Sequence, residues 1–176
     1  LAMETSRLNL SCPVSAPTAG DRVLLAHGEG GRLMRQLIQR QIVPAVENEY
    51  LRLAGDAAAL PALRGPLAMT TDSFVVSPLF FPGGDIGSLA VYGTINDLAM
   101  AGARPRWISL AFILEEGLEF EVLGRVLSSI AAAARRVGVL VVTGDTKVVP
   151  RGAADKLFVN TTGIGEFETA APPGPH

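Results

Sequence analysis

Cysteine is nearly absent from this sequence, since Cys12 is the single one among 176 residues. One thiol can form neither a disulfide framework nor a thiolate metal site within one chain, which excludes both classes of scaffold. This composition fits a reducing compartment. We therefore expect a cytoplasmic location.

Long hydrophobic runs are also missing, and so is an excess of basic residues. No apolar stretch approaches the ~20 residues of a membrane-spanning helix. The segment 1–20 lacks the apolar core of a signal peptide. Lys and Arg number 15 against 17 Asp and Glu, which gives a net charge of −2. Nucleic-acid binders normally carry a basic excess. We expect no membrane association and no nucleic-acid partner.

What the sequence has is enough apolar residues, 48% of the chain, for one folded domain with a sizeable core. The segment 1–20 is rich in Ser, Thr, Pro and Ala without periodicity and predicts a flexible N-terminal arm. The last residues, 169–176, read TAAPPGPH and predict a linker or tail. The folded domain is therefore expected over 21–168.

The hydrophobic patterns predict a mixed α+β fold, without the strict strand–helix alternation of a Rossmann sheet. Gly102 and Gly138 end two of the predicted helices, and Ser88 is expected to cap the second one. Helices are expected from about 32 to 44, 88 to 101 and 119 to 136. Strands are expected at 23–26, 67–72, 107–114, 139–145 and 156–162, and loops at 54–66 and 78–87.

The first candidate for chemistry is a glycine-rich stretch, His27-Gly28-Glu29-Gly30-Gly31, placed just before a helix. Glycines let the backbone approach an anion closely, and the free N–H groups of a helix start favour phosphate. The stretch matches neither the Walker A loop nor the dinucleotide fingerprint. It is either a phosphate-binding loop or an ordinary flexible turn.

Aspartates near the ends of elements form the second candidate. Of seven in the chain, four lie in small-residue or polar contexts: Asp72, Asp85, Asp97 and Asp145. Asp97 lies in a largely apolar helix, where an unpaired carboxylate is costly. Carboxylates that meet at element ends suit a Mg²⁺ ion that carries nucleotide phosphates. The alternative is that each one caps a helix, closes a turn or forms a salt bridge.

The third candidate is Lys147, which follows Asp145 and Thr146 after a predicted strand and is one of two lysines in the chain. It can pair with a phosphate charge, although a surface ion pair explains the same pattern. His27 could act as an acid, a base or a ligand, but His176 is the only other histidine, so no His-based metal cluster is available.

These pieces, in this order, resemble a known family. The resemblance rests on HGEGG, TTDSFVVSPLFFPGGDIGSLAVYGTINDLAMAGARP, FILEEGL, GDTKVV and NTTGIG, which together cover nearly all of 23–168. They look like the hydrogenase maturation proteins of the HypE family, the carbamoyl dehydratases. Their wider superfamily includes aminoimidazole ribonucleotide synthetase, selenophosphate synthetase and thiamine-monophosphate kinase.

The resemblance implies an ATP-binding α/β domain whose strands pair with those of a second subunit into a shared barrel, which gives a homodimer. It implies ATP and Mg²⁺ as cofactors, and the carbamoyltransferase HypF and the HypC–HypD scaffold complex as partners. Full proteins of the family use ATP to dehydrate a thiocarboxamide on their own C-terminal cysteine. The product is a thiocyanate, the source of the cyanide ligands of the iron in nickel–iron hydrogenases.

The family's site residues carry over by motif. Asp72 and Asp97 match the metal-binding aspartates, and the resemblance implies catalytic roles at the phosphate for Asp145 and Lys147. The nucleotide site is expected to include Gly28, Gly30, Gly31, Thr71, Asp85, Asn96 and Thr146.

One departure from the family is decisive for function. The family's chains are about double the length and end in the cysteine that accepts the carbamoyl group, whereas this sequence ends at His176. We expect an isolated N-terminal domain that binds ATP weakly and cannot complete the dehydration alone. Two alternatives stay open: another ATP-dependent phosphoryl-transfer enzyme of the selenophosphate synthetase superfamily, and a non-catalytic dimerisation or docking module.

Overall fold

The structure, a computed structural model, describes residues 20–167. Apart from Gly20, the arm expected over 1–20 lies outside the described residues, as does the tail expected at 169–176. After a 3-10 helix at Leu25–Gly28, the elements in chain order are α1 (Arg32–Leu37), a π-helical turn (Ile38–Ile42), α2 (Val43–Val46), α3 (Glu49–Arg52), β1 (Leu67–Phe74), β2 (Phe80–Phe81), β3 (Gly84–Asp85), α4 (Ile86–Met100), β4 (Ala103–Glu115), α5 (Phe120–Val137), β5 (Leu140–Val149) and β6 (Leu157–Phe167). None of these helices is long and apolar enough to cross a membrane.

Four strands form one mixed sheet in the order β1-β6-β4-β5. β6 runs antiparallel to both β1 and β4, whereas β4 and β5 run parallel and are connected through α5. Within the described residues, β1 and β5 each pair with a single strand of this sheet, so they form its two edges. The mixed α+β class predicted from the sequence is confirmed.

Helices α4 and α5 cover one face of the sheet. The apolar residues of α5 recur at helical spacing, and Leu123, Val126, Leu127 and Ile130 are all buried in the core. This stripe packs toward the sheet because burying one apolar face is what stabilises an amphipathic helix. Gly138 ends α5 with a left-handed φ of 71°, as the sequence predicts.

Helix α4 begins earlier than predicted, because Asp85 rather than Ser88 is its N-cap. The Asp85 carboxylate accepts hydrogen bonds from the N–H groups of Gly87 and Ser88 at 2.7 and 3.1 Å. Ser88 Oγ accepts the Asp85 N–H at 3.1 Å, so the two residues form a reciprocal capping box. The loop expected at 78–87 contains the short β2–β3 hairpin.

The strand expected at 23–26 is wrong, because the chain turns into the 3-10 helix there. His27 Nδ1 accepts a hydrogen bond from the Leu24 N–H at 2.8 Å, which closes the turn. The helix expected from Arg32 is confirmed, with Pro44 in its last turn. Asn48 then caps α3 and donates from Nδ2 to Val141 O at 2.7 Å, which ties the helical segment to β5.

Candidate functional site

Two of the predicted aspartates lie in one seam between β1 and α4. The Thr94 hydroxyl of α4 donates to Asp72 Oδ2 of β1 at 3.4 Å, and the Thr70 hydroxyl of β1 donates to Asp97 Oδ2 of α4 at 3.1 Å. Thr70 and Asp72 share one strand face, on the order of 7 Å apart, because side chains alternate along a strand. Thr94 and Asp97 lie about one turn apart on α4. The structure therefore brings both carboxylates to the same seam.

The polar neighbours predicted beside them point elsewhere. Thr71 lies on the opposite face of β1 from Asp72, and its hydroxyl donates to Thr161 O at 2.9 Å. Asn96 is exposed on α4 and lies next to Asp97 in sequence, so about 100° of helical rotation separates the two side chains. The structure does not bring Thr71 and Asn96 to the face that Asp72 presents to α4.

Asp85, predicted to join the aspartate group, lies at the far end of α4. It precedes Asp97 by twelve residues, which places it about 18 Å away along the helix axis. Its carboxylate caps α4 and also accepts a hydrogen bond from the Ser129 hydroxyl at 2.6 Å. These contacts hold Asp85 at the start of the helix, apart from Asp97, and its part in a nucleotide site stays a prediction.

Asp145 and Lys147 lie on the edge strand β5. Lys147 Nζ is 3.4 Å from Asp145 Oδ2, and the two side chains are 64% and 58% exposed. An exposed ion pair of this kind contributes about 0–1 kcal/mol, so a bound anion could readily recruit the lysine. Thr146 between them is buried and faces the other side of the strand.

The glycine loop packs against the same edge strand. A Cβ at Gly28 would lie 2.9 Å from Val148 Cβ and Val148 N, so this position requires glycine. Gly30 has a left-handed φ of 75°, and a Cβ at Gly30 or Gly31 would meet nothing within 4 Å. The loop is therefore anchored at one end beside Lys147 and open at the other.

The side chain of His27 holds the start of this loop against the core. Its ring is buried and stands edge-on to Phe120 with a centroid distance of 5.7 Å. Burial lowers the pKa of His27 below its usual 6.5, which keeps the ring neutral so that Nδ1 can accept the Leu24 N–H. These contacts give His27 a structural role rather than the acid, base or ligand role left open by the sequence.

A cavity of about 550 Å³ lies between the N-terminal helical segment and the β4–β5 edge. Its walls are largely apolar, and Asp56, Asp145 and Thr146 add polar atoms to its lining. Sequence reasoning missed Asp56. The available signal was the glycine directly before it, since Gly55-Asp56 repeats the pattern of the candidates Asp85 and Asp145, which also follow a glycine.

A second missed residue, Glu166, holds the loop that carries Asp56. The buried carboxylate of Glu166 accepts the N–H groups of Arg64 and Gly65 at 2.6 and 2.8 Å and a hydrogen bond from Arg106 Nη2 at 2.9 Å. The Gly65 N–H and the Arg106 guanidinium lower the pKa of Glu166 from 4.5 to about 2. Glu166 therefore stays ionised and pins the end of the loop to β6.

The two sets of candidate residues lie at opposite edges of the sheet. Asp72 belongs to β1 and Asp145 to β5, and the strands β6 and β4 lie between them. Three strand spacings amount to about 14 Å. Among residues 20–167 there is no group of three or more His, Cys, Asp or Glu side chains that could hold a metal ion. Within one chain, Asp72 and Asp145 therefore lie on separate edges of the sheet.

Fold and sequence together define the class of this protein. A family model described as AIR synthase related protein, N-terminal domain, matches residues 54–167. The chain belongs to this family.

Within that class, the chain is similar to the carbamoyl dehydratase HypE of Azotobacter vinelandii, with 55% identity over 154 residues that make up 88% of this chain and 44% of that protein. A solved structure of HypE in complex with ATP superimposes with a TM-score of 0.83 at 57% identity, covering 86% of this chain and 45% of that one. HypE in a HypE–HypF complex gives 0.60 at 48% identity, covering 81% and 44%.

These findings confirm the resemblance to the HypE proteins that the motifs predict. The chain spans less than half the length of the curated relatives it matches.

Proposed function

We propose that this chain is the Mg²⁺–ATP-binding domain of a carbamoyl dehydratase that serves hydrogenase maturation. The observation that carries the proposal is the β1–α4 seam, where Asp72 and Asp97 each accept a threonine hydroxyl. The high identity to HypE proteins, one of them solved with ATP, supports the nucleotide as the ligand.

The donor set of the seam fits Mg²⁺. It offers carboxylate and hydroxyl oxygens, and Mg²⁺ in nucleotide sites is usually held by one or two carboxylates together with phosphate oxygens and water. Asp72 and Asp97 would hold the ion, which when bound neutralises charge on the phosphates. Each carboxylate has one oxygen bonded to a threonine and a second oxygen for the metal.

A homodimer would unite the two edges of the sheet. In the described residues, β5 is covered by the N-terminal helical segment and the glycine loop, whereas β1 pairs with β6 alone and offers unpaired N–H and C=O groups to another strand. A second copy whose strands join these in a shared barrel would bring the seam of one chain toward the glycine loop and Lys147 of the other. This arrangement accounts for candidate residues that one chain keeps about 14 Å apart.

In the whole protein, we infer that ATP phosphorylates the oxygen of a thiocarboxamide carried on a C-terminal cysteine. ADP and one amide proton are released as the phosphorylated intermediate forms, and phosphate then leaves with the second proton. The resulting thiocyanate supplies cyanide to the hydrogenase iron. Lys147 would stabilise the transferring phosphoryl group, Asp145 would orient Lys147, and Gly28, Gly30 and Gly31 would close over the phosphates. The partners would be HypF, as in the solved HypE–HypF complex, and the HypC–HypD scaffold, all in the cytoplasm.

The test is the Mg²⁺–ATP affinity of this chain, measured by calorimetry for the native sequence, Asp72→Asn and Asp97→Asn. Loss of a charged ligand worth about 1.5–3 kcal/mol weakens binding by about 10- to 150-fold. Asp155→Asn, at an exposed turn, is the matched control and should bind like the native chain. Equal affinity in all four proteins would reject the seam as the nucleotide site.

Light scattering after size exclusion tests the dimer in the same samples. We expect the mass of two chains at micromolar concentration. A chain that dimerises but binds no nucleotide would instead fit the non-catalytic docking module.

A further inference from the structure

Two buried hydroxyls meet directly behind Asp72. Thr94 of α4 and Thr161 of β6 are fully buried, and their Oγ1 atoms lie 2.5 Å apart. Thr94 Oγ1 also lies 3.0 Å from Ala90 O and 3.4 Å from Asp72 Oδ2. Thr94 thus connects a carboxylate of the candidate site to the interior of the domain.

The packing around Thr94 leaves its side chain little freedom. A Cβ at Gly163 would lie 2.7 Å from Thr94 Cγ2 and 3.0 Å from Leu98 Cδ1, so α4 approaches β6 this closely because position 163 is glycine. A β-branched side chain on a helix already has restricted χ1 rotamers. The Thr94 hydroxyl is therefore held in place between α4, β1 and β6.

Counting protons assigns the direction of these bonds. Each hydroxyl carries one proton. In the described residues, the hydroxyl of Thr161 takes part in one hydrogen bond, to Thr94, so the best-satisfied arrangement has Thr161 donating to Thr94. The single proton of Thr94 is then left for Ala90 O or Asp72 Oδ2. Ala90 O is the nearer of the two, at 3.0 Å against 3.4 Å, and the carboxylate is the stronger acceptor because it is charged.

We propose that Thr94, oriented by Thr161, is a positioning residue that turns the Asp72 carboxylate toward a divalent cation. By donating to Oδ2 it fixes one oxygen and leaves the other for the metal. Ala90 O is the second acceptor within reach of the same proton, so the buried hydroxyl is never left unpaired. This inference rests on the proposed function, in which Asp72 binds the cation.

The experiment follows Mg²⁺ alone and Mg²⁺ with ATP. Backbone amide shifts of residues 70–74 and 94–98 report Mg²⁺ titrations, and calorimetry gives ATP affinity at low and at saturating Mg²⁺. For Thr94→Val we expect a half-saturating Mg²⁺ concentration about 3- to 10-fold higher, as for the loss of one hydrogen bond. Thr94→Ser keeps the hydroxyl and should stay within about twofold of the native chain. ATP affinity at saturating Mg²⁺ should be nearly unchanged.

Ser129→Ala is the matched control, because it also removes a hydroxyl bound to an aspartate, at the other end of α4. It should lower stability and leave the Mg²⁺ dependence intact. If Thr94→Val does not fold, Thr161→Val removes the supporting donor instead and should raise the Mg²⁺ requirement in the same direction.

The outcomes separate the two proposals. If Asp72→Asn titrates with Mg²⁺ like the native chain, the seam binds no cation, and both the proposed function and this inference are overturned. If Asp72→Asn loses the response while Thr94→Val and Thr161→Val keep it, only the positioning role is overturned. A Thr94→Val protein that weakens ATP binding equally at all Mg²⁺ concentrations would also overturn it, because that result indicates a general structural role.

Discussion

Replacing Gly144 with alanine tests the close approach of β4 and β5 beside the candidate site. A Cβ at Gly144 would lie 2.1 Å from the backbone oxygen of Leu110. Real Cβ contacts essentially never fall below 3.0 Å, so the strands would have to separate by about 0.9 Å at this point. The clashing atom belongs to the backbone of a central strand, so no side-chain rotation relieves the contact.

The expected loss follows from this geometry. Overpacking a well-packed interior costs about 1–3 kcal/mol, and a backbone clash belongs at the upper end of that range. We expect Gly144→Ala to lower the free energy of unfolding by about 3 kcal/mol and Tm by about 6–12 °C. Urea and thermal unfolding, followed by the fluorescence of Trp107, the single and buried tryptophan, measure both quantities.

Gly124→Ala is the internal control, with the opposite expected sign. Gly124 lies in the second turn of α5, inside the helix, and a Cβ there would meet nothing within 4 Å. Alanine in a helix interior is about 0.5–1 kcal/mol more favourable than glycine, so this variant should be stabilised. A Gly144→Ala protein as stable as the native chain would refute the strand geometry described here.

Two further predictions concern pH. Because the pKa of Glu166 is lowered from 4.5 to about 2 in the folded state, its carboxylate contributes stability above pH 4.5 that is lost as the pH falls toward 2. Glu166→Gln should therefore be less stable than the native chain in urea at neutral pH, with a difference that narrows between pH 4.5 and 2. A constant difference across that range would contradict the ion-pair account. Because burial lowers the pKa of His27 below 6.5, the native chain should lose stability as the pH falls below 6.5. His27→Gln should show a flatter pH profile in the same unfolding assay, and an identical profile would refute the role of burial.

Local patterns predicted the long elements well and the short ones poorly. The apolar spacing of α5 and the glycine that ends it are local signals, and both appear in the structure. The expected strand at 23–26 failed because a short apolar run does not distinguish a strand from a buried turn. Here the Leu24 N–H donates to His27 Nδ1 and closes the turn. Ser88 and Asp85 are both good caps, and only the fold shows which one begins the helix.

The candidate site was predictable in its chemistry more than in its arrangement. Asp72 and Asp97 lie in one seam, but the strand order that places Asp145 at the other edge of the sheet is set by long-range pairing. Asp85 has the same kind of sequence context as Asp72, yet its position at the start of α4 makes it a cap. Nothing in the sequence around Glu166 predicts its role, because its partner Arg64 lies in a loop about a hundred residues earlier in the chain.

The division of candidate residues between opposite sheet edges has a genetic consequence if a second copy unites them. A chain defective at Asp72 and a chain defective at Lys147 would each be inactive with its own kind. In a mixed dimer, one composite site would carry both defects. The other would combine the intact Asp72 of one chain with the intact Lys147 of its partner. Inactive alleles of this domain would then fall into two complementation groups, sorted by the edge of the sheet that each one damages.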